Sequence, residues 1–246
     1  MFSRASIKES ESYLPSLGEQ KQYWDERWDR NRTPNLWQLK RAEKILEIIR
    51  SLALDRPKIL DLGCGTGWFA GQLSRVGETI GIDLSETAIR VANLQFPHVR
   101  FISGNLYEIP LLPEEFDVVV AQEVIAHVED QVKFLERIAY TLKPEGYLIV
   151  TTVNKFVIER TPQAPDPREH IKQWLSLKAL KRLLASHFDV IATTTVIPMG
   201  NCGILRLVNS YKINTFLGLV VPLQHLEMLK EKAGLGYTRI ALARKR

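Results

Sequence analysis

The sequence of 246 residues predicts a doubly wound α/β domain, a mostly parallel sheet covered by helices on both faces. Three observations predict it. Short runs rich in Val, Ile and Leu alternate with helical periodicity from residue 58 onward, and strands apolar on both faces need cover on both sides. The run Ile59-Leu60-Asp61-Leu62 ends at Gly63, Gly65 and Gly67, alternate glycines that let the backbone turn sharply and approach a ligand. The composition, 45% hydrophobic and 25% charged, is that of a globular chain able to bury a core without disulfides or metal staples.

The elements follow in order. Residues 1–20 are polar, lack periodicity and are expected to be lid-like. Tyr23-Trp24-Asp25-Glu26-Arg27-Trp28 places Trp24 and Trp28 on one helix face. A helix with Leu39, Ala42, Leu46 and Ile49 on one face precedes the first strand, Lys58–Asp61, and the glycine turn leads into a helix from about Trp68. Glu78–Asp83 is the second strand, with Ser85 suited to cap the next helix. Val99–Ile102 and Phe116–Ala121 are the third and fourth strands. Val132, Leu135, Ile138, Ala139 and Leu142 recur at helical spacing until Pro144-Glu145-Gly146, and Tyr147–Thr152 is the fifth strand. Thr161 to Pro167 carries three prolines and reads as a loop. Leu177, Leu180, Leu184 and Phe188 predict a helix, Val190–Ile197 a strand, residues 198–235 two helices, and Tyr237–Ala243 a closing strand.

No apolar run is long enough for a membrane span, and no apolar core marks a secretory signal, so a cytoplasmic location is expected. Cys64 and Cys202 are the two cysteines, without a CxxC pair or a histidine cluster, which argues against a disulfide framework and a zinc site. Charge is uneven. Residues 1–154 hold 18 basic and 22 acidic residues, whereas residues 155–246 hold 15 and 6, so a net −4 gives way to +9. The basic last third suits an anionic acceptor, an anionic membrane surface or nucleic acid, and equally a solvated face.

Asp83 lies 20 residues after Gly63 at the end of the second strand, where a carboxylate can bind ribose hydroxyls. A dinucleotide fold is the competitor, but its GxGxxG fingerprint needs a glycine where this chain has Trp68. The run ILDLGCGTG, followed by GIDLS, GNLYEIPL, FDVVVAQEVIAHVED and LKPEGYLIVTT, resembles the class I S-adenosylmethionine-dependent methyltransferases over roughly residues 55–155. The resemblance implies a seven-stranded, mostly parallel Rossmann-like sheet, with residues 1–54 an N-terminal helical cap, residues 55–246 the methyltransferase domain, and residues 198–235 a helical insertion on the substrate side. It implies S-adenosylmethionine as cofactor and S-adenosylhomocysteine as product. By position, Asp61 organises the glycine loop, while Gly63, Cys64 and Gly65 meet the methionine portion. Asp83 and Leu84 hold ribose and adenine, Asn105 and Leu106 close the adenine pocket, and Gln122 sits beside the methionine portion. Asn105 stands where the family often has aspartate; its amide oxygen can still accept from the adenine amino group. Tyr23 and Trp24 belong to a segment that folds over the cofactor in related enzymes.

The segment Glu123–Asp130 is similar to the small-molecule branch that includes the ubiquinone-biosynthesis O-methyltransferases, and it lacks the D/N-P-P-Y/F motif of enzymes that methylate amino groups of nucleic acids. The expected reaction is methyl transfer to an oxygen or nitrogen of a small molecule, with an amphiphilic or anionic acceptor suggested by the last third. His127 is the candidate base and His170, in Arg168-Glu169-His170, a second candidate; the alternative for His127 is to hold its loop by hydrogen bonding. A cofactor-binding protein without catalysis and a protein or RNA methyltransferase are the alternatives, and no RNA-binding module supports the latter. Peripheral membrane contact and a homodimer stay open. Cys64 reads as a small loop residue, not a nucleophile.

Overall fold

The computed structural model describes residues 14–30, 33–161 and 171–246. Helices α1 (Leu17–Arg30) and α2 (Leu36–Ser51) precede β1 (Lys58–Leu62). They are followed by α3 (Trp68–Leu73), β2 (Glu78–Asp83), α4 (Glu86–Gln95), β3 (Arg100–Ser103), β4 (Phe116–Gln122), α5 (Gln131–Thr141) and β5 (Leu142–Val153). The chain ends with α6 (Lys155–Ile158), α7 (Leu177–Leu184), β6 (Phe188–Pro198), α8 (Ile204–Val208), α9 (Tyr211–Leu217), α10 (Leu223–Lys232) and β7 (Gly236–Lys245).

The seven strands form one sheet in the order β3-β2-β1-β4-β5-β7-β6. Neighbours from β3 through β5 are parallel, and β7 runs antiparallel between β5 and β6. The chain winds outward from β1 to β3, then crosses to β4. The strand order therefore reverses between β1 and β4, the place where a doubly wound sheet opens a crevice at its carboxyl ends.

Each face of the sheet has its own core. Leu60, Val119, Leu148 and Ala241 face α5 and α7 through Leu135, Ile138, Leu180 and Leu184. Ile59, Val118, Ile149 and Ile240 face α2 and α3 through Ile45, Leu46, Ile49, Phe69 and Leu73. Helix α2 thus belongs to the same core as the sheet, across the boundary at residue 54. Side-chain caps explain where helices begin. Asn35 and Gln38 form a reciprocal capping box at α2, and Ser85, Asp130 and Ser176 each accept an amide N–H at α4, α5 and α7.

Several expectations shift by a residue or a turn. Leu39 and Val132 are exposed, and Ile45 and Phe134 take the buried positions instead. Leu142 leaves the helical series to pair with Phe116, and Phe188 opens β6. Residues 198–235 hold three helices, α8 to α10, where two were expected. Of the predicted loop at 161–167, all but Thr161 lies outside the described residues. No described helix is long and apolar enough to cross a membrane.

Candidate active site

At the carboxyl ends of β1, β2 and β4 lies a cavity of about 870 Å³. Asp61, Gly63, Cys64, Asp83, Leu84, Asn105, Leu106 and Gln122 line its floor, while Trp24, Trp28, Trp37 and Arg41 come from α1 and α2 above. His127, Val128 and Trp174 line a further wall.

The glycine loop is built by conformation and close approach. Gly63 and Gly67 have φ of 72° and 77°, a region that side chains enter at a cost. A Cβ on Gly67 would stand 2.7 Å from Ala92 and Phe101, so this glycine lets the loop press against α4 and β3. The amides of Gly63 and Cys64 donate to Ile82 O, tying the loop to β2. Asp83 completes the tie: Oδ2 accepts from Gly65 N at 2.8 Å and Oδ1 from Ser85 N at 2.9 Å. Burial nevertheless pushes the Asp83 carboxyl up to about 6, against these N–H donors.

Asp61 is the least satisfied group of the site. It is 1% exposed, and neither carboxylate oxygen has a hydrogen-bond partner. Burial, and then the charge of Asp83, raise its pKa to about 7, with Arg41 opposing. A carboxylate left bare in a cavity wall is costly unless a cation or donor enters. Burial, and then Asp83 and Asp61, also push the Cys64 thiol well above its ordinary range, consistent with packing and not nucleophilic chemistry.

Arg41 was not legible in the sequence. From the second turn of an amphipathic helix its Nε donates to Gln122 Oε1 at 3.0 Å and its Nη1 lies 3.4 Å from Glu123 Oε1. Glu123 has φ of 57°, a strained conformation for a side-chain-bearing residue. Thr151 holds it there, accepting the Glu123 amide and donating its hydroxyl to Oε1 at 3.0 Å, while Oε2 is buried without a partner.

His127 ends a 3₁₀ turn, with its Nδ1 2.9 Å from Ile171 O and its ring 5.3 Å edge-on from Trp24. The loop-holding role considered for His127 is thus present in this bond. Gln173 N donates to Ala126 O, and the same segment carries Trp174 to the cavity. A carbonyl acceptor at Nδ1 puts the ring proton there and makes Nε2 the basic nitrogen.

Two expected residues lie off the cavity wall. Tyr23 packs its ring edge-on against Trp24 and accepts from Arg27 Nη1 at 3.4 Å. It sits about 100° around the helix from Trp24, whereas Trp28 shares Trp24's face. Gly65 is covered by Trp28, whose ring would meet a Cβ there at 2.5 Å. Asn105 lines the cavity, but its amide already accepts from Tyr107 N and donates to Glu108. His170 lies outside the described residues. None of the residues lining the cavity comes from 198–235.

Residues 60–150 match the model of a methyltransferase domain. This segment is similar in sequence to S-adenosylmethionine-dependent methyltransferases. The domain is 33% identical over 116 residues to a "Probable S-adenosylmethionine-dependent methyltransferase" of Mycobacterium tuberculosis, covering 47% of this chain and 42% of that protein. It is 39% identical over 113 residues to a ubiquinone biosynthesis O-methyltransferase of Bradyrhizobium diazoefficiens, covering 44% of each. The matched segment spans about half or less of the length of these curated relatives. The [4+2]-cyclase SpnF has the same fold, with a TM-score of 0.66, 20% identity, and 96% and 99% of the two chains covered. At that identity the likeness is one of fold alone.

The cofactor named for such relatives is S-adenosylmethionine, and the residues present fit it. The bare Asp61 carboxylate suits a cationic amino group, Arg41 a carboxylate, and Asp83 a pair of hydroxyls. Gly63 has no Cβ because the Val124 side chain packs against its Cα, where a Cβ would stand 2.3 Å from it.

Proposed function

We propose that this chain transfers a methyl group from S-adenosylmethionine to an oxygen of a small-molecule acceptor, with His127 as the base. The carrying observation is that one cavity joins the glycine loop, the bare Asp61 and the oriented His127. Its volume is near the upper end of the roughly 300–1,000 Å³ typical of small-molecule sites, which suits a cofactor and an acceptor side by side. When bound, the cofactor supplies an activated methyl group. Asp61 and Arg41 then hold its amino and carboxylate ends, Asp83 and Leu84 its ribose, Asn105 and Leu106 its adenine, and Gln122 is positioned through Arg41. Gly63, Cys64 and Gly65 shape the loop beside the methionine portion. Trp24 and Trp28 exclude water from the methyl-bearing end, and their ring faces favour positive charge. His127 Nε2 takes the proton of an acceptor hydroxyl as the oxygen is methylated. Similarity to ubiquinone biosynthesis O-methyltransferases supports an oxygen acceptor.

Incubation with S-adenosylmethionine and a panel of small hydroxylated acceptors, followed by mass spectrometry, is expected to yield S-adenosylhomocysteine and an O-methylated product. His127→Ala will lower turnover about 10²-fold and leave cofactor affinity unchanged. Near wild-type turnover would return His127 to holding its loop. Binding of S-adenosylhomocysteine without turnover of any acceptor would favour a cofactor-binding protein without catalysis.

The carboxylates add a pH signature. In the free site Asp61 holds a proton below about pH 7, and a bound ammonium favours the ionised form and expels it. Affinity for S-adenosylmethionine will therefore rise between about pH 6 and pH 8 and flatten above. Asp61→Asn will remove most of that slope. Calorimetry across this range checks both, and a flat wild-type profile counts against Asp61 as the ammonium acceptor.

A further inference from the structure

The insertion between β6 and β7 exposes its apolar side chains. Tyr211 is 84% exposed, Phe216 71%, Leu219 80%, Val220 84% and Leu223 58%, all within one short stretch of chain. Helices α9 and α10 contribute no buried residue at all. So many exposed apolar side chains in one stretch mark an interface. Its charge identifies the occupant. Residues 199–226 contain no carboxylate, and the cations among them, Arg206 and Lys212, have no acid in their own segment to pair with. Along α10 the charge balances, with Lys230 and Lys232 set beside Glu227 and Glu231 and Lys230 paired to Glu227 at 3.0 Å, so the unbalanced positive charge is confined to Arg206 and Lys212.

We propose that the surface formed by residues 204–223 binds the face of an anionic lipid bilayer. The short helices would lie in the interfacial plane, with Tyr211 and Phe216 at headgroup depth and Leu219, Val220 and Leu223 reaching the acyl boundary. A second copy of the chain fits less well. A two-fold contact sets a patch against itself, so Arg206 and Lys212 would meet their own kind with no carboxylate in the segment to compensate. Anionic headgroups compensate them directly.

Placement gives the contact a consequence. β6 ends at Pro198 opposite Gly236, and Val153 at the end of β5 pairs with Thr238. Tyr237 and Thr238, which follow the insertion directly, line the cavity. The insertion therefore leaves the sheet at the end where the cavity opens, and a docked molecule would present that end toward the membrane. The contact requires no bound cofactor, so it stands or falls separately from methyl transfer.

The test is co-sedimentation of the full chain with phosphatidylcholine vesicles, with and without phosphatidylglycerol, at low and high salt. Binding to the anionic vesicles is expected to exceed binding to the neutral ones by about 30-fold at low salt, from two unpaired cations, and to fall as salt rises. Phe216→Glu combined with Leu219→Glu should abolish sedimentation and leave S-adenosylhomocysteine affinity and thermal unfolding unchanged, since both side chains are exposed. No sedimentation of the wild type, or equal sedimentation of the double variant, overturns the proposal. So does a wild-type dimer in light scattering that the same double variant makes monomeric, which would assign the surface to self-association.

Discussion

Asp83→Ala will reduce affinity for S-adenosylmethionine by at least about 10²-fold in a protein that still folds. Two losses add. The ribose loses an ionised acceptor, and hydrogen bonds to a charged group contribute about 1.5–3 kcal/mol each. The glycine loop also loses its tie, because the amides of Gly65 and Ser85 both donate to this carboxylate. Those two amides become unsatisfied in a region where Asp83 is 7% exposed. Calorimetry with S-adenosylhomocysteine, alongside circular dichroism for the fold, reads the result. Unchanged affinity in the folded variant would remove Asp83 from the cofactor site. Asp83→Asn keeps one acceptor for the loop and should fall between the two.

Gly67→Val is expected to cost about 3–4 kcal/mol of stability. Its φ of 77° is a left-handed conformation that costs an ordinary residue about 1–2 kcal/mol. Added carbon atoms would also press into Ala92 and Phe101, where the first Cβ already stands at 2.7 Å, and overpacking of that kind costs about 1–3 kcal/mol. For a domain of this size the melting temperature should fall by about 10 °C. A melting temperature within a degree or two of wild type would mean that the loop relaxes away from α4. The third glycine of the motif would then serve the ligand and not the packing.

Periodicity and local motifs carried most of the fold. Each of the seven strands lies where apolar runs indicated, and β1, β2 and β4, buried on both faces over most of their length, leave the strongest local pattern. The glycine loop and Asp83 were legible for the same reason: their geometry is decided within a few residues. The site's upper wall was not. Arg41 sits on an ordinary amphipathic helix, and only the fold brings it to Gln122 and Glu123, about 80 residues further along the chain. Glu123 gives no sign in sequence that it adopts a left-handed backbone. In α1 the helical period was legible, but the period alone does not say that the face meeting the cavity belongs to Trp24 and Trp28 and not to Tyr23. In the insertion, hydrophobicity alone does not say whether core, acceptor or bilayer will cover the apolar side chains.

Helix α1 separates two timescales in the molecule. Its 14 residues include no buried side chain, and it is fastened to α4 by Asp25, which accepts from Ser85 Oγ and Thr87 N, and by the Lys21–Glu86 ion pair. A helix of that length is marginal on its own, so undocking it requires much less free energy than unfolding the sheet. Amide hydrogens of α1 will exchange through this local opening, while those of β1 and β4 wait for the whole domain to unfold. Product release follows the faster clock, since Trp24 and Trp28 leave the cavity with the helix. Mild denaturant should therefore empty the site well before the sheet melts, and loss of ligand and loss of fold will trace two separate transitions.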